Sequence, residues 1–144
     1  MTLPTNILVA TDFGELADRA LEYAIELAAK FDATVHLVHN LSVPTIGIPD
    51  VGPVPHAAAI DGLVREGEGM LQNVVARSRA RATFGNVILR IGDPRDAIVE
   101  VAKEVHADLI VIGTHGRHGV ARALLGSVAE AVVRAAPCPV MTVR

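Results

Sequence analysis

Aromatic side chains are almost missing from this chain: one Tyr, three Phe and no Trp, 3% of 144 residues. A chain of this length buries roughly 68–70% of its unfolded surface. With 51% hydrophobic residues, its core has to be assembled from Val, Ile, Leu and Ala, the filling expected between a sheet and the helices packed on it. Cysteine is limited to Cys138, which excludes an intrachain disulfide framework and fits a reducing compartment. Positive charge is not in excess either. The net charge is −3 and the pI about 6.0, so no basic field exists to release counterions from a nucleic-acid backbone, and nucleic acid is not expected as a partner. No apolar run approaches the ~18–20 residues a membrane helix needs. The start, MTLPTNILVATDF, has neither a basic n-region nor a small-residue cleavage site. The expectation is a cytoplasmic protein without a membrane partner.

What is present is a regular change of period. Asn6–Ala10 (NILVA) and Asp108–Gly113 (DLIVIG) are nearly continuous apolar runs, as in parallel strands covered on both faces, and they are expected to be central. Thr34–His39 and Asn86–Ile91 are β-rich but interrupted by His36 and Arg90, which makes the second an edge candidate. Pro139–Val143 begins with a proline and reads as the other edge. Between these strands the period turns helical. Ala17, Ala20, Leu21, Ala24, Leu27 and Ala28 share one face over about 15–31. A helix over about 57–81 is weakened by Gly62, Gly67 and Gly69. A third opens at Asp93-Pro94, with Asp93 as cap and Ala97, Ile98, Val101, Ala102 and Val105 as its stripe. The fourth runs from Ser127 to about Ala136, with Ser127 and Glu130 at capping-box spacing. Strands alternating with helices along residues 1–144, without repeat or linker, predict one α/β domain built on a doubly wound, parallel five-stranded sheet. Residues 41–56, with prolines at 44, 49, 53 and 55, form a long connection that reads as a lid or as a surface excursion.

Ligands of such sheets bind at the carboxyl ends of the strands, where the strand order reverses. With the first and fourth strands central, that crevice lies between Thr11-Asp12-Phe13 and the loop beginning GTHGRHGVARALLGS at Gly113. Gly113 and Gly116 would bring backbone close to a ligand, while Gly126 and Ser127 would present free N–H groups and a hydroxyl at a helix N-terminus. Phosphate is the group this arrangement suits.

Gly113-x2-Gly116-x9-Gly126-Ser127, lying between a buried strand and a helix start, resembles the motif of nucleotide-binding members of the universal stress protein family. The likeness runs the full length, through NILVATDF, ALEYAIELA, IGDPRDAIVEVAKEVHADLIVIGTHG and APCPVMTV. The resemblance implies a Rossmann-like, adenine nucleotide alpha hydrolase-like sheet of order 3-2-1-4-5, a site for ATP or another adenine nucleotide, and a homodimer. Carried over by position, Asp12 would lie by the ribose or a phosphate-bound Mg²⁺, and Val38 would meet adenine through its backbone. Ile112, Gly113, His115, Gly116, Gly126, Ser127 and Val128 would line the ribose and phosphate side, with Thr11 at the wall. Gly14 departs from the serine of many relatives and removes a capping hydroxyl.

Some roles stay open on residue chemistry alone. Asp12, with Glu15 three residues on, is also a helix-cap candidate. Arg117 and Arg122 either reach a terminal phosphate or stand in solvent. His115 and His118 have a ligand-like spacing but no third ligand beside them. Cys138, between two prolines, reads as a packed small hydrophobe. Catalysis has little support: the chain has no Gly-x-Ser-x-Gly nucleophile, no Walker lysine and no His-Glu metal motif. The expected function is therefore that of a nucleotide-dependent stress-response regulator with an unidentified protein partner, slow ATP hydrolysis being its enzymatic ceiling. The alternatives are an interaction protein that binds no nucleotide, or a flavin or dinucleotide enzyme, which the missing Gly-x-Gly-x-x-Gly after the first strand argues against. The low charge of 139–143 predicts pairing of that edge with a second copy.

Overall fold

A computed structural model describes residues 2–43, 45–116 and 125–144. Five parallel strands form the main sheet: β1 (Asn6–Ala10), β2 (Thr34–Leu41), β5 (Thr83–Ile91), β6 (Leu109–Gly113) and β7 (Val140–Val143). Their spatial order is β5-β2-β1-β6-β7, which is 3-2-1-4-5 when these five alone are counted along the chain. β1 sits in the middle and β5 and β7 are the edges, as the apolar runs and their interruptions predicted.

Helices cover both faces. Helix α1 (Glu15–Phe31) buries Ala17, Ala20, Leu21, Ala24, Ile25 and Ala28, and with α2 (Ala57–Ser78) it closes one face over Ile7, Val9, Val35, Leu37 and Val111. Helices α3 (Pro94–Glu104) and α4 (Ser127–Ala135) close the other over Leu8, Val38, Ile110 and Ile112. The α2 helix forms despite its glycines because tertiary packing outweighs propensity. A Cβ at Gly67 would stand 2.7 Å from Leu89 Cδ1, so this glycine lets the helix seat on β5. At α3 the expected cap is in place, with the Arg95 N–H donating to Asp93 Oδ1 at 2.9 Å.

Two features depart from the reading of the sequence. The 41–56 connection contains an antiparallel hairpin, β3 (Thr45–Ile48) and β4 (Gly52–Pro55). Its turn places Pro49 and then Asp50 at φ 65°, followed by Gly52 at φ 89°, and the Val51 N–H donates to the Ile48 carbonyl at 3.1 Å. That is a Pro-led turn with a left-handed third residue, so the prolines organise this segment instead of only breaking it. The second departure is in β5, which starts three residues earlier than expected and carries one extra residue where Val35 pairs Phe84 but Leu37 pairs Val87. The ring of His36, 7% exposed, fills the bulge. A Cβ at Gly85 would lie 2.5 Å from that ring.

Candidate functional site

The turn after β1 is tightly specified. The Thr11 N–H donates to the Val38 carbonyl at 2.9 Å, the Phe13 N–H to Thr11 Oγ1 at 3.0 Å, and the Gly14 N–H to Asp12 Oδ1 at 2.8 Å. Phe13 has a left-handed φ of 63°. The N-cap of α1 is Gly14, with no side-chain cap bond. The helix-cap alternative for Asp12 therefore gives way to an Asx-type turn one step earlier, made by the same carboxylate.

Across the crevice, β6 ends at Gly113, where a Cβ would come within 3.0 Å of Leu16 Cβ. Gly126 is similar: a Cβ there would lie 2.9 Å from the Thr114 carbonyl oxygen, to which the Gly126 N–H donates at 2.6 Å. These two glycines accommodate the chain itself, and the expectation of an unpaired Gly126 N–H is corrected. None of Gly113, Gly116 and Gly126 has positive φ. Gly116 is different, since a Cβ there would face Asp12 Oδ2 at 3.4 Å. The turn after β1 and the loop after β6 thus converge where the sequence placed the crevice.

The capping box is also corrected. The N-cap of α4 is Gly126, and Ser127 is the first helical residue. Glu130 pairs with Arg134 at 3.0 Å instead of reaching back. With Ser127 as the first helical residue, the first-turn amides of Ser127 and Val128 have no intrahelical acceptor.

The remaining candidates divide between core and crevice. Val38 is 1% exposed and its carbonyl is engaged by Thr11. Ile112 is buried in the same cluster, against which Val128 packs. His115 Nδ1 lies 3.0 Å from Thr114 Oγ1, and its buried Nε2 has no partner among the described residues. Arg117, His118 and Arg122 lie outside the described residues. Among the described residues no group of three or more His, Cys, Asp or Glu side chains could hold a metal ion. Sequence reasoning passed over His39, whose Nδ1 lies 2.8 Å from the Thr11 carbonyl and whose ring sits 4.5 Å from that of Phe13. Residues 28 positions apart in the chain gave no local signal of that contact.

A doubly wound α/β fold with two backbone turns facing each other at the switch point has the arrangement at which sheets of this class take their ligands. Within that class, the sequence profile of the universal stress protein family matches residues 4–144. The chain belongs to that family. It is 36% identical over 140 residues to a universal stress protein of Methanocaldococcus jannaschii, covering 96% of this chain and 81% of that one. Among solved structures it resembles UspA from Lactobacillus plantarum, with a TM-score of 0.82, 24% identity and full coverage of both chains. It also resembles the universal stress protein from Archaeoglobus fulgidus in complex with dAMP, with a TM-score of 0.68, 29% identity, and coverage of 99% and 100% of the two chains.

Proposed function

We propose that the crevice between the Thr11–Gly14 turn and residues 113–116 and 126–127 binds an adenine nucleotide, ATP being the first candidate. The observation that carries this reading is the placement of Gly116 opposite Asp12 Oδ2, 3.4 Å from a built Cβ, at the point where the strand order reverses. Backbone can approach a ligand there. The N-terminus of α4 adds the positive end of a helix dipole, first-turn amides and the Ser127 hydroxyl, a suitable seat for phosphate. The relative of A. fulgidus solved with dAMP supports a nucleotide of the adenine class.

Asp12 suits an accompanying Mg²⁺, because that ion is held mainly through phosphate oxygens and water and needs only one or two protein carboxylates. When bound, the ion would neutralise phosphate charge; the chain's own part is to present one carboxylate oxygen to the loop. The protein acts in this reading as a cytoplasmic, nucleotide-dependent stress-response regulator that recruits a protein partner according to occupancy, and hydrolysis of ATP is at most slow. It works as a homodimer paired through β7, whose outer edge presents the backbone groups of Val140 and Thr142, because Pro139 and Val143 turn their carbonyls toward β6.

The test is the nucleotide content of gently purified protein together with calorimetric titration by ATP and AMP. Co-purified adenine nucleotide and saturable binding are expected. Protein that is free of nucleotide and shows no heat at millimolar ATP would remove the proposal.

A further inference from the structure

The turn that presents Asp12 is held from outside itself. Phe13 stands at φ 63°, a conformation that a bulky side chain rarely adopts and that persists only where its surroundings determine it. Two consecutive residues of β2 hold the preceding residue by both of its backbone polar groups. The Val38 carbonyl takes the Thr11 N–H at 2.9 Å, and His39 Nδ1 lies 2.8 Å from the Thr11 carbonyl. A carbonyl can only accept, so Nδ1 carries the proton and His39 is the donor. The same imidazole leans on the Phe13 ring, with centroids 4.5 Å apart and planes inclined by 46°. Its other side is backed by α2, where a Cβ at Gly67 would stand 3.5 Å from His39 Cδ2. The ring therefore has helix behind it, the strained residue in front and the Thr11 carbonyl on its donor nitrogen.

We propose that His39 is a positioning residue of the nucleotide site: it fixes the Thr11–Gly14 turn in the conformation that aims the Asp12 carboxylate at Gly116, without touching the ligand. This rests on the reading of the crevice as a nucleotide site. Both contacts of the ring, on the Thr11 carbonyl and on Phe13, fall on the turn itself, while the core of that face has α1 and α2 over it.

The experiment compares His39→Leu, His39→Asn, Phe13→Gly and the Phe13→Gly/His39→Leu double variant. The readouts are ATP titration and the backbone amide resonances of residues 13 and 14 in nucleotide-free protein. His39→Leu is expected to shift both resonances and weaken ATP binding about tenfold. His39→Asn, which offers an amide N–H to the same carbonyl, should stay within about threefold of wild type. In the Phe13→Gly background the left-handed φ carries no penalty, so His39→Leu should cost less than about threefold there. Where His39→Leu does not fold, His39→Phe, which keeps a ring against Phe13 and removes the donor, carries the same expectation.

A wild type that binds ATP while His39→Leu leaves the resonances and the affinity unmoved overturns the positioning role alone. Equal losses in both backgrounds overturn it too. A wild type that binds neither ATP nor AMP overturns the site and this role with it.

Discussion

The Gly126 N–H meets the Thr114 carbonyl at 2.6 Å, and the space a Gly126 side chain would need is filled by that same oxygen, 2.9 Å from a built Cβ. The residue that follows β6 is thereby tied to the residue that caps α4. Gly126→Ala must therefore push a backbone carbonyl, and a loss of about 1–3 kcal/mol is expected from such overpacking. Among the described residues Gly116→Ala meets the Asp12 carboxylate, at ordinary contact distance, and should leave the urea midpoint within about 0.5 kcal/mol of wild type while weakening ATP binding. Urea denaturation of the two variants side by side checks this, and equal losses would contradict it.

Ser127 is the first residue of α4, behind the Gly126 N-cap, and among the described residues this helix start has no side-chain cap bond. Ser127→Ala should therefore spare stability, whereas removal of an N-cap serine would cost ~1 kcal/mol. With nucleotide bound, loss of one hydroxyl to phosphate is expected to weaken ATP about tenfold, as one charge-assisted hydrogen bond of about 1.5 kcal/mol would. Calorimetry and thermal melts on one preparation separate the two effects; a destabilised variant with unchanged affinity would reverse the assignment.

His36 couples the fold to pH. Its Nδ1 accepts the Asn86 N–H at 2.9 Å, which leaves the proton on Nε2, 3.1 Å from Asn6 Oδ1. Burial lowers the His36 pKa below the ordinary 6.5, because the cation loses hydration. Between the folded and unfolded pKa values the unfolded chain binds more protons. This contribution is thus full above pH 6.5 and falls away as the pH drops from there through the lowered folded value. Urea midpoints should decline over that range in wild type, and His36→Gln, which keeps an acceptor and a donor, should flatten the decline. A slope that survives the substitution would place its origin elsewhere.

Pairing through β7 is open to a change at one backbone atom. The Thr142 N–H points away from β6, since Pro139 and Val143 carry the carbonyls that accept from Ile110 and Thr114. Thr142→Pro deletes an outward donor and spares the β6 ladder. Light scattering should find a wild-type dimer and a folded monomeric variant; a variant that remains dimeric excludes this edge.

Much of the architecture was legible because it depends on composition and period. Continuous apolar runs named β1 and β6 as inner strands, and Asp93-Pro94 announced the start of α3, since a buried strand and a helix cap each express a local requirement in neighbouring residues. The hairpin in 45–55 was hidden because its prolines serve a turn and an edge strand, two roles that look alike in a sequence. The meeting of the turn after β1 with the start of the loop after β6 was legible, but its packing was not. Spacing marked Gly113, Gly116 and Gly126, yet Leu16 and the Thr114 carbonyl occupy the space at the first and third, and only Gly116 opens on Asp12.

Period, caps and the scarcity of aromatics, cysteine and excess charge determined by themselves that this chain makes an α/β layer structure on a parallel sheet. These are properties of residues close together in the chain, where propensity and hydrophobic alternation act. Tertiary structure alone decided that His36 is locked into a bulge by Asn86, that Gly126 rather than Ser127 caps α4, and that His39 braces Thr11 and Phe13. Each depends on atoms brought within a few ångströms from distant segments, and close packing, unlike period, leaves no trace in the order of the residues.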